Sequence, residues 1–350
     1  MNVASTTSHI LHDSQQLTAH LPATETHATL YKSMLSGAVA GMVTDSLLLP
    51  FDTVNLRIKV QMVPPPKYTG ITHAWKTILR EEGVAGFFGG LGTTLKMAPI
   101  NTAIYYTAYE FAKTTIASMV PKEHEPVAFF AAGAFSELCS SVSNVPTEVM
   151  KARMQLGRNP HNASGGWTKE TTNYRGMVDA MTSIVRAEGI RGLYAGYTAC
   201  LAVDASYSGF AFLFYELLKE HHRYVCSILL IIIVYISYGS IIILFPRNSD
   251  SVQRPPTAVE TTCIGGMAGG AAAFLTNPLD IMTLRLMTQG NTKRYRGLAH
   301  CLQKSLADEG ASILWKGSAC RMMSVIPGTG ISFGVYETVK AMLIEDGDDF

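Results

Sequence analysis

Apolar stretches recur along the chain, each ending at a proline or a short charged motif. Three are rich in small residues: SGAVAGMVTDSLLLP (36–50), AAGAFSELCSSVSNVP (131–146) and IGGMAGGAAAFLTNP (264–278). A shorter amphipathic stretch follows each one, then a second apolar run that ends in Tyr-Glu. This order predicts three modules, each of two long helices with a short amphipathic helix between them. Gly37/Gly41, Gly265/Gly269 and Gly266/Gly270 have the GxxxG spacing that lets helices pack closely in lipid. The most apolar run, VCSILLIIIVYISYGSIIILF (225–245), belongs to no module. As a helix it would reach about 31 Å, enough to cross a bilayer core.

The modules repeat in detail. PFDTVNLR (50–57), PTEVMKAR (146–153) and PLDIMTLR (278–285) form one line. EGVAGFFGG (82–90), EGIRGLYAG (188–196) and EGASILWKG (309–317) form a second, and YEFAK (109–113), YELLK (215–219) and YETVK (336–340) a third. The glycine closing the second motif precedes the tyrosine of the third by 19 residues in every module. Such a period marks one supersecondary unit used three times. The modules span 31–120, 124–222 and 257–343, after a polar tail over 1–30 that is expected to be disordered.

These motifs resemble the mitochondrial carrier family: P-x-[DE]-x-x-[KR]-x-[KR], then [DE]-G, then an aromatic and a Gly, three times over about residues 33–343. The resemblance implies an all-α membrane protein, six transmembrane helices in a pseudo-threefold barrel with short matrix helices. It implies a multi-pass carrier of the mitochondrial inner membrane, working as a monomer by alternating access, with cardiolipin among its lipids. Two rings of charge follow from it. The cytoplasmic gate is complete: Glu110, Lys113, Glu216, Lys219, Glu337 and Lys340. The matrix gate keeps the acids Asp52, Glu148 and Asp280, but its base positions hold Asn55, Lys151 and Thr283. The spacing therefore predicts at most one of three ion pairs and a resting bias toward the matrix-open state. Arg57, Arg153 and Arg285 are the alternative neutralisers of that ring. Gln155 occupies the brace position, where Lys59 and Met287 stand in the other modules.

Composition narrows the function. Charged residues are 16% of the chain, below the about 25% of soluble domains, and 47% are hydrophobic. A net charge of +1 offers no basic surface for nucleic acid. Six scattered cysteines without a CxxC read as free thiols rather than a metal or disulfide framework. His9, His12, His20 and His27 read as part of the polar tail, not as metal ligands. That tail has acids and no Arg, so no cleaved presequence is expected. No cofactor is expected, and no nucleophile–base pair or phosphate loop suggests an enzyme.

A threefold module repeats what serves the mechanism, whereas a single substrate is not threefold. Charges found in one module only are therefore substrate candidates. Asp45 lies two turns before Asp52 and Glu137 three turns before Glu148, so each shares a face with its gate acid. Counting on from the closing glycines gives Met97, Val203 and Ser324, then Asp204 one residue further. Pro99 sits one place early, which would bring Lys96 toward the contact position. The candidate substrate site is thus Asp45, Lys96, Glu137, Val203, Asp204 and Ser324. Three acids against one base favour a cationic or zwitterionic small molecule over a nucleotide or polyanion. The acids at 45 and 137 match the S-adenosylmethionine carrier branch of the family. Val203, where those carriers have Arg, and Ser206, where they have Pro, depart from it. A mitoferrin-like metal carrier, another amino-acid-type carrier and a non-transporting adaptor remain as alternatives.

The insert, 225–253, lies between modules two and three. One extra crossing would invert module three and separate Asp280 from its ring. A surface-lying or re-entrant segment, a helix outside the barrel, and a translated intron all avoid this. Val-Cys at one end and Val-Gln at the other can encode splice signals, and 29 codons keep the frame, which favours the intron.

Overall fold

The computed structural model describes residues 23–61, 66–117, 125–156, 174–220, 258–290 and 294–345. The insert 225–253 and residues 1–22 of the tail lie outside the described residues. Helix α1 spans Ala23–Val60, α2 Ile71–Glu82, α3 Leu91–Ala117 and α4 Glu125–Gln155. After α5 (Met177–Glu188) and the single turn α6 (Ile190–Leu193) come α7 (Tyr197–Glu220), α8 (Ala258–Leu275) and α9 (Asn277–Thr288). The series ends with α10 (Leu298–Glu309) and α11 (Ser318–Glu345); 3-10 turns at Val84–Phe88 and Ala311–Trp315 match α6 in position. Among the described residues every regular element is helical. Helix α1 begins at Ala23, inside the segment expected to be a disordered tail. Pro22 stands just ahead of it and neither Gly nor Pro interrupts the next fourteen positions, so the helix extends outward.

The long helices pack in a closed order. α1 lies against α3 and α11, α3 against α4, α4 against α7, α7 against α8 and α9, and α8 against α11. Pro50 and Pro146 sit inside α1 and α4, and Pro278 opens α9 after a break at Thr276. A proline ring removes one helical hydrogen bond and clashes with the preceding turn, so all three helices are weakened at the same motif position. Glycines set the closest approaches. A Cβ on Gly266 would meet the Ile326 carbonyl at 3.2 Å, and one on Gly270 would meet the Ile326 side chain at 2.9 Å. The GxxxG spacing of the third module is therefore the α8–α11 contact.

Each short helix is clipped to the end of the long helix before it. In the first repeat Val54, Ile58, Tyr68, Ala74, Ile78 and Phe87 form one cluster. Met150, Ala180, Ile184 and Leu193, and then Ile281, Met282, Leu286, Tyr295 and Cys301, repeat it. The Glu-Gly motif now has a physical cause. Arg57 makes a fork to Glu82, with Nη1–Oε1 at 2.5 Å and Nη2–Oε2 at 2.7 Å. Arg153 makes the same fork to Glu188, and Arg285 Nη1 lies 2.6 Å from Glu309 Oε1. The glycine after each glutamate, Gly83, Gly189 and Gly310, has φ of 70°, 73° and 78°. With ψ near 180° this is an extended, positive-φ conformation that ends the short helix and costs a residue with a Cβ about 1–3 kcal/mol.

Candidate functional site at the centre of the helix ring

The arginines correct one expectation directly. They do not neutralise the matrix ring, because each is held by its own glutamate. The fifth residue after an acid lies about 140° round a helix from it, so Arg57 leaves the face of Asp52. Each Nε instead crosses to the next repeat. Arg57 donates to the Gln155 carbonyl at 2.9 Å, Arg153 to the Met287 carbonyl at 3.1 Å and Arg285 to the Lys59 carbonyl at 3.3 Å. The closing glycines follow the same circuit: Gly90 faces Lys151, Gly196 faces Leu286 and Met287, and Gly317 faces Asn55 and Lys59. Three identical contacts thus run from repeat one to two, two to three and three to one.

Within that circuit the matrix ring carries more pairing than its motif positions allow. Lys151 Nζ lies 3.7 Å from Asp52 Oδ2. Lys59 Nζ lies 2.6 Å from Asp280 Oδ2, and Arg321 Nε lies 3.8 Å from the same oxygen. The limit of one ion pair is overturned. Lys59 is seven residues after Asp52, two turns on the same face, and its four-carbon stem reaches across to α9. Glu148, facing a repeat with Thr283 where a base belongs, makes no ion pair within 4.0 Å among the described residues. Gln155 does not act as a brace: its Nε2 is buried without a hydrogen-bond partner, and only its carbonyl is used.

The cytoplasmic ring is the looser of the two. Glu216 and Glu337 are exposed, while Glu110 and Lys113 are half-buried. None of the three acids makes an ion pair within 4.0 Å with a described residue. Lys340 Nζ stands 5.5 Å from the Tyr336 ring centroid; the Lys219 side chain lies outside the described residues. Among the described residues the ion pairs of the two rings lie in the matrix ring.

Two of the six substrate candidates, Glu137 and Asp204, lie near one another, and Asp45 lies beside the matrix-ring charges. Asp45, on α1, is half-buried and close enough to Lys151, Asp52 and Glu148 for their charges to act on it. Glu137, on α4, feels the charge of Asp204 on α7 and neighbours the Tyr105 hydroxyl. Asp204 in turn feels Glu148 and Asp280 and accepts a hydrogen bond from the Cys200 thiol at 3.5 Å. Val203 and Ser324 are buried; the Ser324 hydroxyl donates to the Arg321 carbonyl at 3.1 Å. Lys96 does not join them. It is exposed on a stripe of α3 with Gly92, Ile100, Ala103, Thr107 and Phe111, and the opposite face carries Tyr105 toward Glu137.

Sequence reasoning missed two groups here. Arg321 is 1% exposed and sits four residues after Gly317, where the other repeats hold Thr94 and Cys200. The one-module rule that selected Asp45 and Glu137 would have selected it too. Asn101 and Asn144 join α3 to α4, with Asn101 Nδ2 donating to Asn144 Oδ1 at 3.3 Å and Ser143 donating to Asn101 Oδ1 at 2.7 Å.

Known proteins resemble this chain in sequence. The family model described as mitochondrial carrier protein matches residues 26–120, 122–224 and 254–347. The probable S-adenosylmethionine carrier 2, chloroplastic, of Arabidopsis thaliana is 31% identical over 90% of this chain and 75% of its own. S-adenosylmethionine carrier 1, chloroplastic/mitochondrial, of the same plant is 28% identical over 91% of this chain and 80% of its own. Mitoferrin of Dictyostelium discoideum is 27% identical over 91% of this chain and 96% of its own. With three helical repeats tied in a closed circuit and a family match to each, the chain belongs to the mitochondrial carrier family.

Proposed function

We propose that this carrier moves a cationic or zwitterionic metabolite across the mitochondrial inner membrane, and that S-adenosylmethionine is the substrate its site fits best. The observation that carries the reading is a set of three acids without threefold counterparts, with Glu137 on α4 close enough to Asp204 on α7 to feel its charge and Asp45 beside Lys151, Asp52 and Glu148. Sulfonium and ammonium groups suit those carboxylates. A citrate-like or nucleotide polyanion would need several cations on this wall, where three acids stand instead. The two relatives named for S-adenosylmethionine support the choice.

In this reading α1, α3, α4, α7, the α8–α9 pair and α11 are six membrane spans related by a pseudo-threefold axis. One described stretch, Ile190–Leu218, is long and apolar enough to cross a membrane by composition alone. The other long helices carry charges that break their apolar runs, and the buried ones among them, Lys59, Lys151 and Arg321, face other helices. Apolar side chains such as Leu47, Phe111, Leu138, Phe212 and Leu217 are exposed on the long helices. Lipid, cardiolipin included, is their natural partner, and a monomer is the working unit. Access alternates between the two sides, with a cytoplasm-open resting state in place of the matrix-open one.

Residues 225–253 fall between the second and third family matches. This supports their reading as translated intron, which a mature transcript retaining those codons would refute. Mitoferrin is a relative over nearly the same span, so metal carriage is the second reading. Thermal unfolding of the purified carrier separates the two. S-adenosylmethionine is expected to raise the midpoint, while ferrous iron and citrate leave it unchanged. A shift by iron alone would favour the second reading, and absence of uptake for every cationic solute would favour an adaptor.

A further inference from the structure

Arg321 is the buried cation that the repeated motifs leave without a role. Its neighbours come from three elements. Nε lies 3.8 Å from Asp280 Oδ2 on α9, the oxygen that Lys59 reaches at 2.6 Å. Nη1 donates to the Ala273 carbonyl at 3.2 Å, in the last turn of α8. There the break before Pro278 leaves carbonyls without helical donors. The guanidinium carbon stands 6.0 Å from the centroid of the Tyr207 ring, and Tyr207 lies one turn beyond Asp204 on α7.

We propose that Arg321 is a positioning residue of the matrix gate: it holds Asp280 closed from α11 and ties that latch to the α7 wall of the substrate site. The motif positions that should serve Asp280 and Glu148 hold Asn55 and Thr283, so the ring recruits bases from elsewhere. Lys59 comes from α1 and Arg321 from the second long helix of its own repeat. A planar guanidinium reaches a carboxylate and a carbonyl together, which an ammonium on a flexible stem does poorly. Opening toward the matrix requires α1, α9 and α11 to part, so this side chain, which bridges α11 to α9, opposes the motion directly. A cation drawn toward Asp204 moves the turn that carries Tyr207, and Arg321 transmits the change to Asp280.

This inference rests on the carrier reading, and its test is independent of the substrate. Spin labels at Thr72→Cys on α2 and Ala299→Cys on α10, with accessible native cysteines replaced by serine, report the width of the matrix side of the full chain in liposomes. Arg321→Gln is expected to raise the ratio of wide to narrow separations about fivefold or more. Asp280→Asn is expected to do the same, and the double substitution to add little, because both break one latch. Arg321→Lys is expected to fall between wild type and Arg321→Gln, which a purely packing role would not produce. Should Arg321→Gln fail to fold, Arg321→Lys compared with Asp280→Asn answers the same question. An unchanged distance distribution in a folded Arg321 variant would overturn the inference, as would additive effects of Arg321 and Asp280. A wild-type protein that carries no solute, yet widens on these substitutions, would overturn the substrate reading alone.

Discussion

A carboxylate inside a helix ring persists only where water, a hydrogen-bond donor or a cation compensates its charge. Asp52 and Asp280 have Lys151, Lys59 and Arg321 within 4.0 Å. Glu137 and Asp204 form a second set, whose neighbouring charges are largely other carboxylates, while Asp45 has Lys151 near it as well as Asp52 and Glu148. A bound cation relieves that repulsion, so neutralising one acid removes a charge-assisted contact of about 1.5–3 kcal/mol. Asp45→Asn and Glu137→Gln are each expected to lower the apparent affinity for uptake about tenfold or more, with the protein still folded by thermal unfolding. Lys96→Gln, on the exposed stripe of α3, is expected to leave it unchanged. Lys59→Gln removes one partner of a buried pair, a loss of about 3 kcal/mol at the low end for such changes because Arg321 still serves Asp280. A lowered unfolding midpoint would record it. The roles of Lys59 and Arg321 were hard to read from the sequence because the motif names positions, whereas a long side chain serves any acid within its reach.

At the scale of elements, one elbow is used three times, and its motif was legible before its mechanism. Spacing located the long helices and the short ones between them, since proline, Glu-Gly and Tyr-Glu punctuate every repeat. It did not reveal that the arginine belongs to the elbow rather than the gate, because that depends on a glutamate 24 to 35 residues further along the chain. Two substitutions test the elbow. Glu188→Gln leaves Arg153 buried without its fork and is expected to cost about 3–5 kcal/mol. Gly189→Ala puts a Cβ on a residue at φ 73° and ψ −177°, for about 1–3 kcal/mol. Denaturant titration in detergent checks both. The order of loss should be Glu188→Gln above Gly189→Ala, and equal, negligible effects would contradict the account.

At the scale of the molecule, the repeats form a circuit in which each arginine and each closing glycine leans on the next repeat. That circuit gives module three the same orientation as the others, which a functional extra crossing at 225–253 would reverse. A chain lacking residues 225–253 is therefore expected to transport as well as the full chain, as measured by uptake. In the proposed function the asymmetric acids make this family member a carrier of an S-adenosylmethionine-like cation. The most direct measurement is uptake of labelled S-adenosylmethionine by liposomes containing the purified protein, beside Glu137→Gln. Saturable uptake by the wild type is expected, competed by unlabelled substrate but not by citrate, and strongly reduced in the variant. Uptake of citrate or a nucleotide in its place, or S-adenosylmethionine uptake indifferent to Glu137→Gln, would contradict it.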